Sequence, residues 1–128
     1  MKKGILINPE NGTITEVGIE NGLNAIYEKI DCDCFDLQRL GYKGKQENDI
    51  YVDDNGLSGD VKFGFQFGEN QPIAGKGLIL GNNPNTGDSV NTNLTLEEVK
   101  SKTKLFKSNL EFMFACRAWS IKYENFQP

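Results

Sequence analysis

Histidine is missing from this chain altogether. Without an imidazole there is no Ser–His or Cys–His nucleophile pair, and the His-based zinc motifs fail with it. Cysteine is scarce and odd in number: Cys32, Cys34 and Cys116. A structural zinc takes four Cys or His ligands, so three thiols fall short; Asp31, Asp33 and Asp36 beside two of them follow no ligand spacing. The thiols read as small buried or half-buried side chains, with no metal and no cofactor implied. No apolar run approaches the roughly 18 residues of a membrane span. The start, Met1-Lys2-Lys3-Gly4-Ile5-Leu6-Ile7-Asn8-Pro9, offers three apolar residues in a row before a turn, too few for a signal peptide. The expected location is the cytoplasm, away from membranes.

What is present is a globular balance: 38% hydrophobic and 25% charged residues in a chain of 128. One domain over 1–128 is the expectation, large enough to bury about two-thirds of its unfolded surface without a metal or disulfide. Fourteen glycines imply many tight turns. The net charge of −4 is unevenly spread. Residues 1–99 carry 16 acidic and 8 basic side chains, whereas residues 100–128 carry 2 and 6. The acidic excess is too small for a DNA mimic, and the chain lacks the basic face of a nucleic-acid binder.

Gly4–Ile7 and Thr13–Ile19, joined by Asn8-Pro9-Glu10-Asn11-Gly12, predict a hairpin. Asn21 is positioned to cap a short helix whose apolar stripe is Leu23, Ile26, Tyr27 and Ile30. Cys34–Leu40 predicts a third strand ended by Gly41, and Asp49–Asp53 a further one before the turn chemistry of Asp54-Asn55-Gly56. In Val61–Phe67 the alternation of Phe63, Phe65 and Phe67 gives a strand with an aromatic face. Gly75–Gly81 is a buried strand with a glycine at each end, and 82–93 a long polar loop. Thr95 and Glu98 form a capping box for a helix over about 96–103. Beyond it, Leu110, Phe112, Phe114 and Cys116 alternate with Glu111, Met113, Ala115 and Arg117. The alternation favours a strand, although Ser108 and Glu111 make a second capping box. The sum is an α+β fold: a mainly antiparallel, twisted sheet of five to seven strands with two short helices.

Three leads toward chemistry stand out. Asp53–Asp60 is rich in calcium-type ligands, but an EF-hand loop with Gly56 at its sixth position would have to begin at Tyr51, which cannot ligate there; a turn is the simpler reading. Gly75-Lys76-Gly77 with Gly81-Asn82-Asn83 lets a ligand approach the backbone, with Lys76 as phosphate partner. The spacing matches neither a P-loop nor a dinucleotide fingerprint. The aromatic second half, from Phe63 to Phe126, fits core plus a protein interface.

The order of several motifs is similar to that of a known family. Ile5-Leu6-Ile7-Asn8-Pro9 precedes Thr13–Val17, then Leu23, Ile26-Tyr27, Asp31-Cys32, Phe35-Asp36 and Tyr51–Leu57; Pro72–Gly81 and Leu94–Val99 complete the pattern. This resembles the phage and mobile-element family known as domain of unknown function 3846, over about residues 4–107, leaving 108–128 as an extension. The family brings no catalytic residue with it. What the resemblance implies is a setting: an accessory protein of a mobile element in a bacterial cell, of a kind that counters host defence.

The expectation is therefore a non-enzymatic binding protein whose partner is a host protein or a second copy of itself. Interface residues would be Phe112, Phe114, Trp119 and Tyr123. The alternative is capture of a phosphate-bearing nucleotide signal through Lys76, Asn82, Asn83 and Arg117.

Overall fold

The computed structural model describes residues 1–32, 35–53 and 63–125, with side chains described as far as Lys122. The predicted hairpin forms: β1 (Lys2–Asn8) and β2 (Thr13–Ile19) pair antiparallel from Lys2 opposite Ile19 to Asn8 opposite Thr13. The Asn8 side chain helps close the turn by accepting the Asn11 N–H at 3.3 Å.

Alternation then builds a larger sheet around one central strand. β3 (Phe35–Lys43) and β4 (Gln46–Asp53) form a second hairpin, and β7 (Gly77–Asn82) lies between β4 and β1. β3 runs past Gly41, where the sequence predicted its end, because a register shift between Arg39 and Gly41 absorbs the glycine within the strand. β8 (Ser89–Val90) pairs with Gly81 and Asn82 of β7, so the predicted polar loop contributes a short strand. The turn chemistry of 54–56 lies outside the described residues.

A second sheet has the order β6 (Ile73–Ala74), β5 (Gly64–Phe67), β9 (Thr103–Phe106). All pairings given for both sheets are antiparallel. The fold is α+β, with its strands divided between two sheets.

The period-2 pattern decides which face each sheet buries. Ile5, Ile7, Ile50, Val52 and Ile79 point to one face of the large sheet and meet Phe65 and Ile73 of the small one. Phe65 is fully buried and lies against the bare backbone of Gly77, where a Cβ would come within 2.5 Å of its ring. Burying such a ring stabilises the fold by about 1.5–3 kcal/mol. On the opposite face Tyr51, Leu78 and Leu80 pack with Ile19 and with Ile26 and Ile30 of α1 (Leu23–Ile30). Helix α1 differs from its predicted form at the start. Gly22, not Asn21, occupies the N-cap and supplies no side-chain hydrogen bond, and Leu23 is 56% exposed because it precedes the turn that touches the sheet.

Helix α2 (Leu96–Lys102) follows its prediction: Thr95 is the N-cap and accepts the Glu98 N–H at 3.1 Å. The Glu98 carboxylate turns instead to Lys43 on β3. Val99, fully buried, carries α2 into the core between the sheets.

The C-terminal segment corrects the sequence reading. Residues 109–125 form a third helix, α3 (Asn109–Asn125), not a strand. The capping box prevails: the Glu111 N–H donates to Ser108 Oγ at 3.2 Å, and the Glu111 carboxylate accepts the Lys107 N–H at 3.2 Å. The layers are thus α1, large sheet, small sheet and α3, with α2 at the side of the inter-sheet core. No helix among the described residues is long and apolar enough to cross a membrane.

Candidate protein-docking site

Helix α3 lies across the outer face of the small sheet and is fastened at both ends. Gly64, Gln66, Lys104 and Phe106 share that outer face, since Gly64 is opposite Phe106 and Gln66 opposite Lys104. Having no side chain, Gly64 leaves room for the Phe112 ring, which is 6% exposed and 6.4 Å from the Phe106 ring. Near the other end the Trp119 indole N–H donates to the Glu69 backbone oxygen at 3.0 Å, and Lys122 pairs with the Glu69 carboxylate at 3.1 Å.

Along one flank of the helix an open groove of about 850 Å³ runs beside the sheet. Leu105, Phe106, Phe114 and Trp119 give it apolar walls, Ala115 and Ala118 keep it clear, and Lys104, Glu111 and Lys122 stand at its margins.

The helix carries two apolar stripes. Phe112, Ala115, Cys116 and Trp119, spaced i, i+3, i+4, i+7, face the sheet and are buried or half-buried. On the opposite side Leu110, Met113, Phe114 and Ile121 have no cover among the described residues: they are 63%, 59%, 65% and 48% exposed. Arg117, also exposed, stands in the middle of this outer stripe. Phe114 joins the stripe to the groove, so the two form one apolar surface. A contiguous exposed apolar surface of this kind is uncommon on a folded chain. Burial raises the Cys116 thiol pKa, which disfavours the nucleophilic thiolate.

Of the residues singled out from sequence, Phe112, Phe114 and Trp119 meet on α3, but only Phe114 is strongly exposed. Phe112 and Trp119 hold the helix to the sheet. The Tyr123 side chain lies outside the described residues. Leu110, Met113 and Ile121 extend the surface, and the signal for them was the Ser108–Glu111 capping box.

The residues named for nucleotide capture do not converge. Lys76 and Asn82 are at opposite ends of β7, about 20 Å apart at strand rise. Lys76 is only 16% exposed and pairs with Asp31 at the C-cap of α1. Asn83 is a turn residue: its Oδ1 accepts the Asn85 N–H at 3.0 Å and its backbone oxygen accepts the Gly87 N–H at 2.7 Å. Arg117 is on α3, on the far side of the small sheet. Among the described residues no cluster of three or more acidic or thiol groups is arranged to hold a metal ion.

No family model matches the chain, and no curated protein or solved structure is significantly similar to it.

Proposed function

We propose that this chain is a non-enzymatic protein-binding module that docks through the outer stripe of α3. The observation that carries the reading is the second apolar stripe, Leu110, Met113, Phe114 and Ile121, on a helix already anchored by its other side. A helix that is apolar on both sides is normally covered on both sides. Among the described residues nothing covers the outer side, which leaves it open to another molecule.

Arg117 favours a partner different from the chain itself. A two-fold pairing of α3 with its own copy, centred on the stripe, would set one Arg117 against the other. A helix-binding groove with apolar pockets and a carboxylate opposite Arg117 meets both features. The resemblance to phage and mobile-element proteins supports a host protein as that partner.

Two measurements test the reading together. In sedimentation equilibrium at high micromolar concentration the chain alone should run as a monomer of 14.3 kDa. Met113→Glu with Phe114→Glu should keep the circular dichroism and melting point while abolishing co-purification with the partner retained by the unaltered chain. A mass of twice 14.3 kDa, or a partner that stays bound to the double variant, would overturn it.

A further inference from the structure

On the α1 face of the large sheet, beyond the reach of α1 itself, lies a polar cluster that the docking surface does not use. Glu47, Asp49 and Tyr51 alternate along β4 on that face, beside Asn82, Leu80 and Leu78 of β7. Glu47 is buried and held by the guanidinium of Arg39 from β3. The Tyr51 hydroxyl and Ser89 Oγ are 2.7 Å apart. Asp49 is different. It is 4% exposed, and among the described residues its Oδ1 has no hydrogen-bond partner; the Oδ1 of its neighbour Asn82 is likewise buried and unpaired among them.

Both orphan atoms are acceptors, which is the informative point. Buried oxygens without donors are rare because each forfeits its hydration. Asn82 offers Asp49 a side-chain hydrogen bond. An amide that donates through Nδ2 presents Oδ1 as its other arm. One hydrogen between the carboxyl and the amide oxygen satisfies both orphans at once.

We propose that Asp49 is a neutral carboxylic acid in the folded protein, donating its proton to Asn82 Oδ1 while accepting from Asn82 Nδ2 in a closed acid–amide pair. The proton comes from solvent on folding and returns to it on unfolding.

The surrounding charges agree. Arg39, directly opposite Asp49, is engaged by Glu47, so one guanidinium faces two carboxyl groups. Among the described residues Tyr42 of β3 stands opposite Glu47, β7 places Leu80 opposite Asp49 with Asn82 two residues on, and α1 packs on this face through uncharged Ile26 and Ile30. Burial, with Glu47 adding to it, raises the Asp49 pKa against the opposing pull of Arg39 and Asn82.

The sign of the linkage follows. A carboxyl whose native pKa is raised holds its proton longer folded than unfolded. Its contribution to stability is complete below the unfolded value, near 3.8, and is lost as pH rises through the higher native value.

Carbon-13 NMR of the Asp carboxyl carbons, assigned by the Asp49→Asn spectrum, tests this on the unaltered fold. The Asp49 resonance should keep its protonated shift well above the ordinary carboxyl range. In parallel, Asp49→Asn should melt at or above the unaltered chain at neutral pH and lose the decline in melting point that begins near pH 4. An Asp49 carboxyl that titrates at or below the ordinary range overturns the proposal, and so does an Asn variant whose melting point falls with rising pH as steeply as the unaltered chain's.

Discussion

Phe112 occupies the space that a side chain at position 64 would need. A Cβ on Gly64 would stand 2.6 Å from Cδ2 of that ring and 2.4 Å from the Ile73 carbonyl oxygen. The backbone oxygen cannot move without disturbing the β5–β6 pairing, so the contact is an unyielding one. Gly64→Ala should therefore cost about 1–3 kcal/mol and loosen α3 from the sheet. Hydrogen exchange across 109–122 checks this: protection falls there more than in β1 or β7.

The two stripes of α3 respond differently to the same truncation. Phe112→Ala should cost about 3 kcal/mol or more, by emptying a packed site. Phe114→Ala should change stability by no more than about 0.5 kcal/mol, because that ring is 65% exposed. Urea unfolding of the two variants reads the difference directly, and equal losses would refute the assignment of faces.

Part of this fold is legible in the sequence because outlying elements such as β2 and α1 bury one face only. The β1–β2 hairpin and the α1 stripe of Ile26 and Ile30 follow from period and turn chemistry. Thr95 as the cap of α2 follows in the same way. The end of β3 was hidden because a bulge lets a strand pass through a glycine. Helix α3 was hidden for a more instructive reason. Its inner and outer stripes cancel the amphipathic signal, and Leu110, Phe112, Phe114 and Cys116 also alternate like a strand. The feature that obscured the helix is the feature on which the proposed docking surface rests. The Asp49–Asn82 contact was illegible because the two residues are 33 positions apart and meet only through the β4–β7 register.

At the acid end stability should depend on Glu98. The hydrogen bond from Lys43 lowers its pKa, and the charge of Lys43 adds to this. A lowered carboxyl contributes stability that is present above its unfolded value, near 4.5, and lost as pH falls through the native value. Lys43→Met should flatten the acid limb of a melting-point profile by lowering the neutral plateau slightly toward an unchanged acid end. An unchanged acid limb would show that the pair contributes nothing.

The Cys116 thiol should alkylate slowly. Its raised pKa and half-buried position leave little thiolate at pH 8. Iodoacetamide labelling followed by peptide mass mapping should show position 116 reacting several-fold slower in the native chain than in urea. Equal rates would mean that α3 does not stay on the sheet in solution.

The docking claim is tested most directly by placing a photo-crosslinking phenylalanine analogue at position 114 of the full chain in bacterial cells, with position 16 on the exposed strand β2 as control. Position 114 should give one discrete protein adduct, heavier than the chain by a partner mass other than 14.3 kDa. The adduct should disappear when Leu110→Glu is introduced on the same stripe, and position 16 should give none. The same adduct from both positions, or one from 114 that survives Leu110→Glu, would contradict docking through the outer face of α3.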